Sequence, residues 1–199
     1  MTTERFGDWS QTFTGRAFWP MDPRAEDVCI EDIAHALALQ CRFAGHCREP
    51  YSVAEHSVRV AEYIRSRGGS AAEVFAGLMH DSGETYLQDV VRPVKRQPEM
   101  RPYRNVELIV QTTINKMFGL PIDAHDWAIV HEADEVLLAT EARDLMAKPP
   151  ADWRLSQPPM AEVIVPWDWR AAEREFLARF YELRSPVTSA PHPRTGEAW

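Results

Sequence analysis

Apolar residues recur at helical spacing along most of the chain. Between Asp27 and Gln40, the residues Ile30, Ile33, Ala34, Leu37 and Ala38 fall on one face, with Glu31 and Asp32 in the first turn, which predicts a helix. CRFAGHCREP (41–50) interrupts it with Gly45 and Pro50. A second helix is predicted after Ser52, an N-cap with Glu55 at capping-box spacing, and its inner stripe is Val53, His56, Ser57, Val60 and Ile64. A third runs from an N-cap at Ser70 through Val74, Phe75 and Leu78 to His80 and Asp81. Beyond a polar loop at 92–102, a helix over about 103–118 carries Val106, Ile109, Val110, Thr113, Ile114 and Met117, and Gly119 closes it. The next, over about 124–146, has Trp127, Val130, Asp134, Leu137, Glu141 and Leu145 on one face. A final helix over about 169–183 presents Trp169, Ala172, Phe176, Phe180 and Leu183. Strand signal is confined to DWSQTFTGRAFWP (8–20), which alternates around Thr14-Gly15-Arg16 as a short hairpin or arm. The expected architecture is an all-α helical bundle.

Composition narrows this picture. The 199 residues fit one domain, expected over 1–184 with an N-terminal arm at 1–26 and a flexible tail at 185–199. Eight of the fifteen prolines lie from Pro149 onward, so 148–168 reads as an ordered but irregular connection. No run approaches the roughly 18 apolar residues of a membrane span. The polar start MTTERFGDWSQTFTG lacks the pattern of an export signal, and Cys29, Cys41 and Cys47 are too few and odd for a disulfide framework; a cytoplasmic location is expected. A formal net charge of -8 argues against bulk attraction to nucleic-acid phosphates. An anionic small substrate would need local positive charge or a metal.

Three predicted helices place metal-binding residue types on faces expected to be buried. His56 lies between Val53 and Val60, Asp81 follows Val74 by seven residues, and Asp134 stands between Val130 and Leu137; His80 directly precedes Asp81. Burying a lone carboxylate costs several kcal/mol unless it is compensated, and a divalent cation would compensate both. Two imidazoles and two carboxylates form a mixed nitrogen and oxygen site suited to Zn, Mn, Co, Ni or Fe. Cys41, His46 and Cys47 lie close together but lack a second Cys/His pair at zinc-finger spacing, so a structural zinc is not expected there.

YSVAEHS (51–57), GLMHDSGE (77–84) and ADEVLLATE (133–141) resemble the ordered H, HD, D signature of the HD-domain metal-dependent phosphohydrolases. VAEHS, HDSGETYLQDVVRPVK (80–95) and EAD (132–134) are most similar to the bacterial HD-domain 5'-nucleotidases and the related phage-type dATP triphosphohydrolases, over about residues 30–145. The resemblance implies one divalent ion held by His56, His80, Asp81 and Asp134. Glu84 would be the general base for a metal-activated water, and Asp89 an active-site acid in a turn where Gln88 replaces the expected glycine. Arg42 would contact phosphate, with Phe43 standing where a Trp is expected. Lys95 is a second phosphate candidate and Arg92 a third. Trp19 and Phe18 could stack on a base or pack against the bundle. The expected activity is 5'-nucleotidase on deoxynucleoside monophosphates, with a dNTP triphosphohydrolase as the alternative and a non-catalytic nucleotide-binding regulator as a remote one. A homodimer or larger homo-oligomer is expected, and the apolar face of the last helix with Trp153, Trp167 and Trp169 could serve a core or an interface.

Overall fold

The protein is described by a computed structural model over residues 4–121 and 123–184. It is an all-α bundle with one small sheet; the expected loose tail lies outside the described residues. In the arm, β1 (Ser10–Gln11) and β2 (Ala17–Phe18) pair antiparallel around the Thr14-Gly15 turn. The arm is anchored rather than loose. Phe18 is fully buried and stacked on Tyr86 at 3.5 Å, the Thr14 backbone N–H donates to Asp32 at 2.7 Å, and Arg5 donates to Asp27 at 2.8 Å.

The bundle comprises α1 (Ile30–Leu39), α2 (Val53–Ser66), α3 (Ala71–Met79), α4 (Glu84–Leu87), α5 (Arg92–Lys95), α6 (Arg101–Met117), α7 (Ala128–Leu145) and α8 (Trp169–Arg184). Central α2 packs against α1, α3, α7 and α8. Its close approach to α3 depends on Gly77, where a Cβ would fall 2.5 Å from the Ile64 side chain. The apolar stripe of α8 faces inward, and complete burial of Phe176 contributes about 1.5–3 kcal/mol. No helix among the described residues is long and apolar enough to cross a membrane.

Four local expectations are altered. Ser52 accepts from the Glu55 backbone N–H, but the Glu55 carboxylate turns away to Arg59 and the Trp167 backbone, so the reciprocal capping box forms at Ser70 and Glu73 instead. The supposed loop at 92–102 contains α5 and a 3-10 turn, because Pro93 and Pro98 sit at helix starts, where a missing N–H costs nothing. The helix over 124–146 splits into a 3-10 turn at Ala124–Asp126 and α7. Trp153, Trp167 and Trp169 separate: Trp153 meets Phe43, Trp167 lies beneath Arg59, and Trp169 meets His35 edge-on. The connection at 148–168 is irregular, as expected, and hydrogen bonds from Met160 to Thr140 and from Ile164 to Asp144 moor it to α7.

Candidate metal centre

α2, the end of α3 and α7 bring His56, His80 and Asp134 together, with one ligand atom from each lying within 4.8 Å of the others. Donors sharing a cation at about 2.0–2.2 Å must lie within about 4.4 Å of one another, so little adjustment closes the group. The Asp81 carboxylate lies beside both imidazoles, 3.2 Å from His80 Nε2 and 3.7 Å from His56 Nε2. Each imidazole is oriented from behind. His56 Nδ1 is 2.6 Å from Glu141 Oε1, and His80 Nδ1 is 2.8 Å from the Gly77 carbonyl. Nδ1–H donation to these acceptors leaves both Nε2 lone pairs aimed at the common space. Both Nε2 atoms are buried without a hydrogen-bond partner, although Asp134 Oδ1 is 3.2 Å from that of His56. That distance without hydrogen-bond alignment fits ligands around a shared point, and these residues could hold a metal ion.

Electrostatics support a cation site. Burial opposes ionisation of Asp81, yet the imidazoles of His80 and His56 and the Arg42 guanidinium outweigh it and hold the carboxyl far below the usual range. At Asp134, burial is likewise outweighed, chiefly by His56. Burial and Arg42 disfavour a charged His56, but Glu141 and Asp134 prevail and raise its pKa to about 9. A proton and a metal ion therefore compete for the same nitrogen.

Glu84 is almost fully buried beside this group, because the chain breaks after Met79 and restarts as α4. Gln111 shapes the break: its amide donates to the Met79 carbonyl and its oxygen accepts from the Gly83 N–H at 2.7 Å. Burial, then Asp81 and Asp89, pushes the Glu84 carboxyl well up. Burial also raises Asp89, with Arg42 opposing and Asp81 adding to the rise. The Asp89 backbone N–H donates to Gln40 at 3.1 Å, and the same Gln40 amide donates to the Glu84 carbonyl. A cavity of about 270 Å³ is lined by His80, Asp81, Glu84, Lys95, Glu107 and His125.

The remaining candidates divide. Arg42 is buried at the centre, its Nε donating to Glu141 at 3.1 Å and its Nη1 lying 3.6 Å from Asp81. Phe43 adjoins it, with the guanidinium 5.4 Å from the ring centre. Lys95 reaches the site but lies 2.5 Å from Glu107 and 3.4 Å from Glu84. Arg92 comes within 3.2 Å of Asp134 and also engages Glu135. Trp19 stays at the arm, under Arg5 and near Trp9, while Phe18 enters the core. His131 is exposed, and the three cysteines are free thiols. Sequence reading assigned no role to Glu141, Glu107, Gln40 or Gln111. Glu141 carried a signal, since it is an acid seven residues after Asp134 on an apolar helix face.

No family model matches the chain. It is 34% identical over 176 residues to the uncharacterized protein YfdR of Escherichia coli strain K12, covering 87% of this chain and 94% of that one. It is 33% identical over 143 residues to an uncharacterized protein of Rhodobacter capsulatus, covering 69% of this chain and 72% of the relative. Neither relative's name states an activity.

Proposed function

The chain belongs to the family of Escherichia coli YfdR, and we propose that it is an HD-domain metal-dependent phosphohydrolase whose substrates are deoxynucleoside 5'-monophosphates. The observation that carries this reading is the pair of unpartnered, buried Nε2 atoms of His56 and His80, which face the carboxylates of Asp81 and Asp134. These four residues would hold one divalent ion, with Zn, Mn, Co, Ni and Fe all compatible with the donor set. When bound, such an ion offsets phosphate charge and lowers the pKa of a water. Glu84 accepts the proton of the attacking water; its Oε2 is buried and unpartnered, and its raised pKa makes the ionised carboxylate a stronger acceptor. Lys95 positions that carboxylate through Oε1. Arg42, fixed by Glu141, offers the rest of its fork to a phosphate oxygen. Asp89, whose ionisation responds to the charges of Arg42 and Asp81, is assigned to the departing 5'-oxygen.

Monophosphates are favoured over triphosphates by the state of the nearby cations. Lys95 is taken up by Glu84 and Glu107, and Arg92 by Asp134 and Glu135. Little positive charge is left for two further phosphates. The test is to incubate protein loaded with Mn or Co with dAMP, AMP and dATP and identify the ions released. Orthophosphate from dAMP is expected; triphosphate from dATP with no action on dAMP would replace the nucleotidase reading by the triphosphohydrolase one. In the same assay Glu84→Gln should retain metal and lose about 10²-fold or more in kcat. Unchanged turnover with metal bound would remove Glu84 from the mechanism.

A further inference from the structure

Among the described residues, the non-glycine residues with positive φ are Phe43 (54°), Ala44 (51°), Gln88 (77°) and Arg154 (53°). Side chains rarely adopt this backbone, and it persists where the surrounding structure over-determines it. Each is a sequence neighbour of a candidate site residue or of a ring that meets one. Phe43 and Ala44 directly follow Arg42, Gln88 directly precedes Asp89, and Arg154 directly follows Trp153, whose ring meets Phe43 at 6.2 Å and 51°. From these positions we infer that Trp153 and Phe43 form the wall that receives the base of the nucleotide, making Trp153 a specificity-determining residue. The inference rests on the nucleotide reading above.

Neighbouring contacts connect the rings to Arg42. Arg42 Nη1 is 3.6 Å from Asp81, its guanidinium carbon is 5.4 Å from the Phe43 ring centre, and Phe43 in turn adjoins Trp153, 42% exposed. A phosphate held by Arg42 would have Phe43 beside it, with Trp153 one ring contact further on. A nucleotide has that polarity, with a charged group and a planar π-faced base separated by a sugar. Aromatic rings take such bases with little regard to hydrogen-bonding pattern. Trp153 is also held in place. The Arg154 backbone N–H donates to Asp152 at 2.9 Å, closing a turn around the indole, and Ser156 donates to Glu135, the neighbour of Asp134 on α7. The irregular connection thus delivers an aromatic side chain from outside the 30–145 region to Phe43, the neighbour of Arg42. Trp9 and Phe13, also exposed, lie on the arm, where they meet Trp19 and His35.

The test uses full-length, metal-loaded protein and the variants Trp153→Ala and Trp153→Phe. For each, kcat/KM is measured on the deoxynucleoside monophosphate hydrolysed fastest and on 2-deoxyribose 5-phosphate, which lacks a base. Trp153→Ala is expected to lower the ratio of the two by about 10-fold or more, through KM for the nucleotide, and Trp153→Phe to recover most of it. An unchanged ratio, whatever the absolute rates, overturns the inference. Calorimetric titration with the matching deoxynucleoside gives a readout independent of turnover. Affinity lost in Trp153→Ala and kept in Trp153→Phe supports the inference, while equal affinity in all three proteins, or none in the wild type, overturns it. If the wild type hydrolyses no phosphate ester, the phosphohydrolase reading falls by itself, and the titration still decides the role of Trp153.

Discussion

Glu141 shows how a single buried carboxylate can organise the side chains of a candidate metal centre. One oxygen accepts from His56 Nδ1 and the other from Arg42 Nε, so the same group sets a ligand's tautomer and aims a guanidinium. Burial opposes its ionisation, but Arg42 and His56 outweigh that and keep it charged. Glu141→Gln keeps the size and removes the charge, and it should weaken metal binding by about 10- to 100-fold, read by competition with a fluorescent zinc indicator. An unchanged affinity in a folded variant would reduce Glu141 to packing. His56 makes a second prediction. Because its pKa is raised to about 9 in the protein alone, metal must displace a proton at neutral pH, and affinity should climb as the pH rises from 7 to 9. Calorimetry in buffers of different ionisation enthalpy would reveal the released proton; a pH-independent affinity would contradict it. The same proton stabilises the metal-free fold, with its contribution whole below about 6.5 and lost as the pH passes about 9.

At the scale of elements, the proposed chemistry depends on an interruption. A helix continuing past Met79 would carry Glu84 onward along its own axis, whereas the turn over 80–83 and the new start at α4 return it beside His80 and Asp81. Gln111 on α6 secures this turn through Met79, Ser82 and Gly83, so Gln111→Leu leaves several buried groups unpaired. A loss of about 2–3 kcal/mol in urea unfolding is expected, with weaker metal binding as the turn loosens. Stability within about 0.5 kcal/mol of wild type would show that the turn holds itself. The turn before Asp89 makes a contrasting case. Gln88 occupies φ 77° and ψ 150°, a region open mainly to glycine, while its carbonyl is held by the Tyr103 hydroxyl at 2.9 Å. Its side chain is exposed, so relief of strain should outweigh the added backbone entropy, and Gln88→Gly should stabilise the protein by about 1 kcal/mol. A lower thermal midpoint would mean that the glutamine side chain contributes something the contacts do not reveal.

For the whole molecule, a metal at this centre would fasten α2, the end of α3 and α7, whose side chains otherwise set carboxylates and imidazoles against each other in a buried space. Removing it with a chelator should lower the thermal midpoint by about 5–10 °C when the free ion had stood near 100 times its Kd, from about 2.7 kcal/mol of binding linkage. Superimposable melts with chelator and with added Mn would speak against a resident ion. The longer helices were legible in the residue order, because 3.6-residue periodicity and caps such as Ser70 act within a few residues of chain, whereas the one-turn helices α4 and α5 are too short to show a period. The residue order also singled out His56, His80 and Asp134, the group that could hold a metal, since they stand in apolar stripes where their types are costly without a partner. Tertiary structure alone decided the partnerships: Glu141 with His56, 85 residues away; Lys95 with both Glu84 and Glu107; Gln40 with Asp89; Trp153 with Phe43. Lys95 illustrates the reason, for in sequence it is a solvated loop cation and in the fold it is a half-buried counter-charge to Glu84 and Glu107. Periodicity reports which face of a helix turns inward, but the group it meets there depends on how distant segments approach and on which polar atoms that approach leaves to be satisfied.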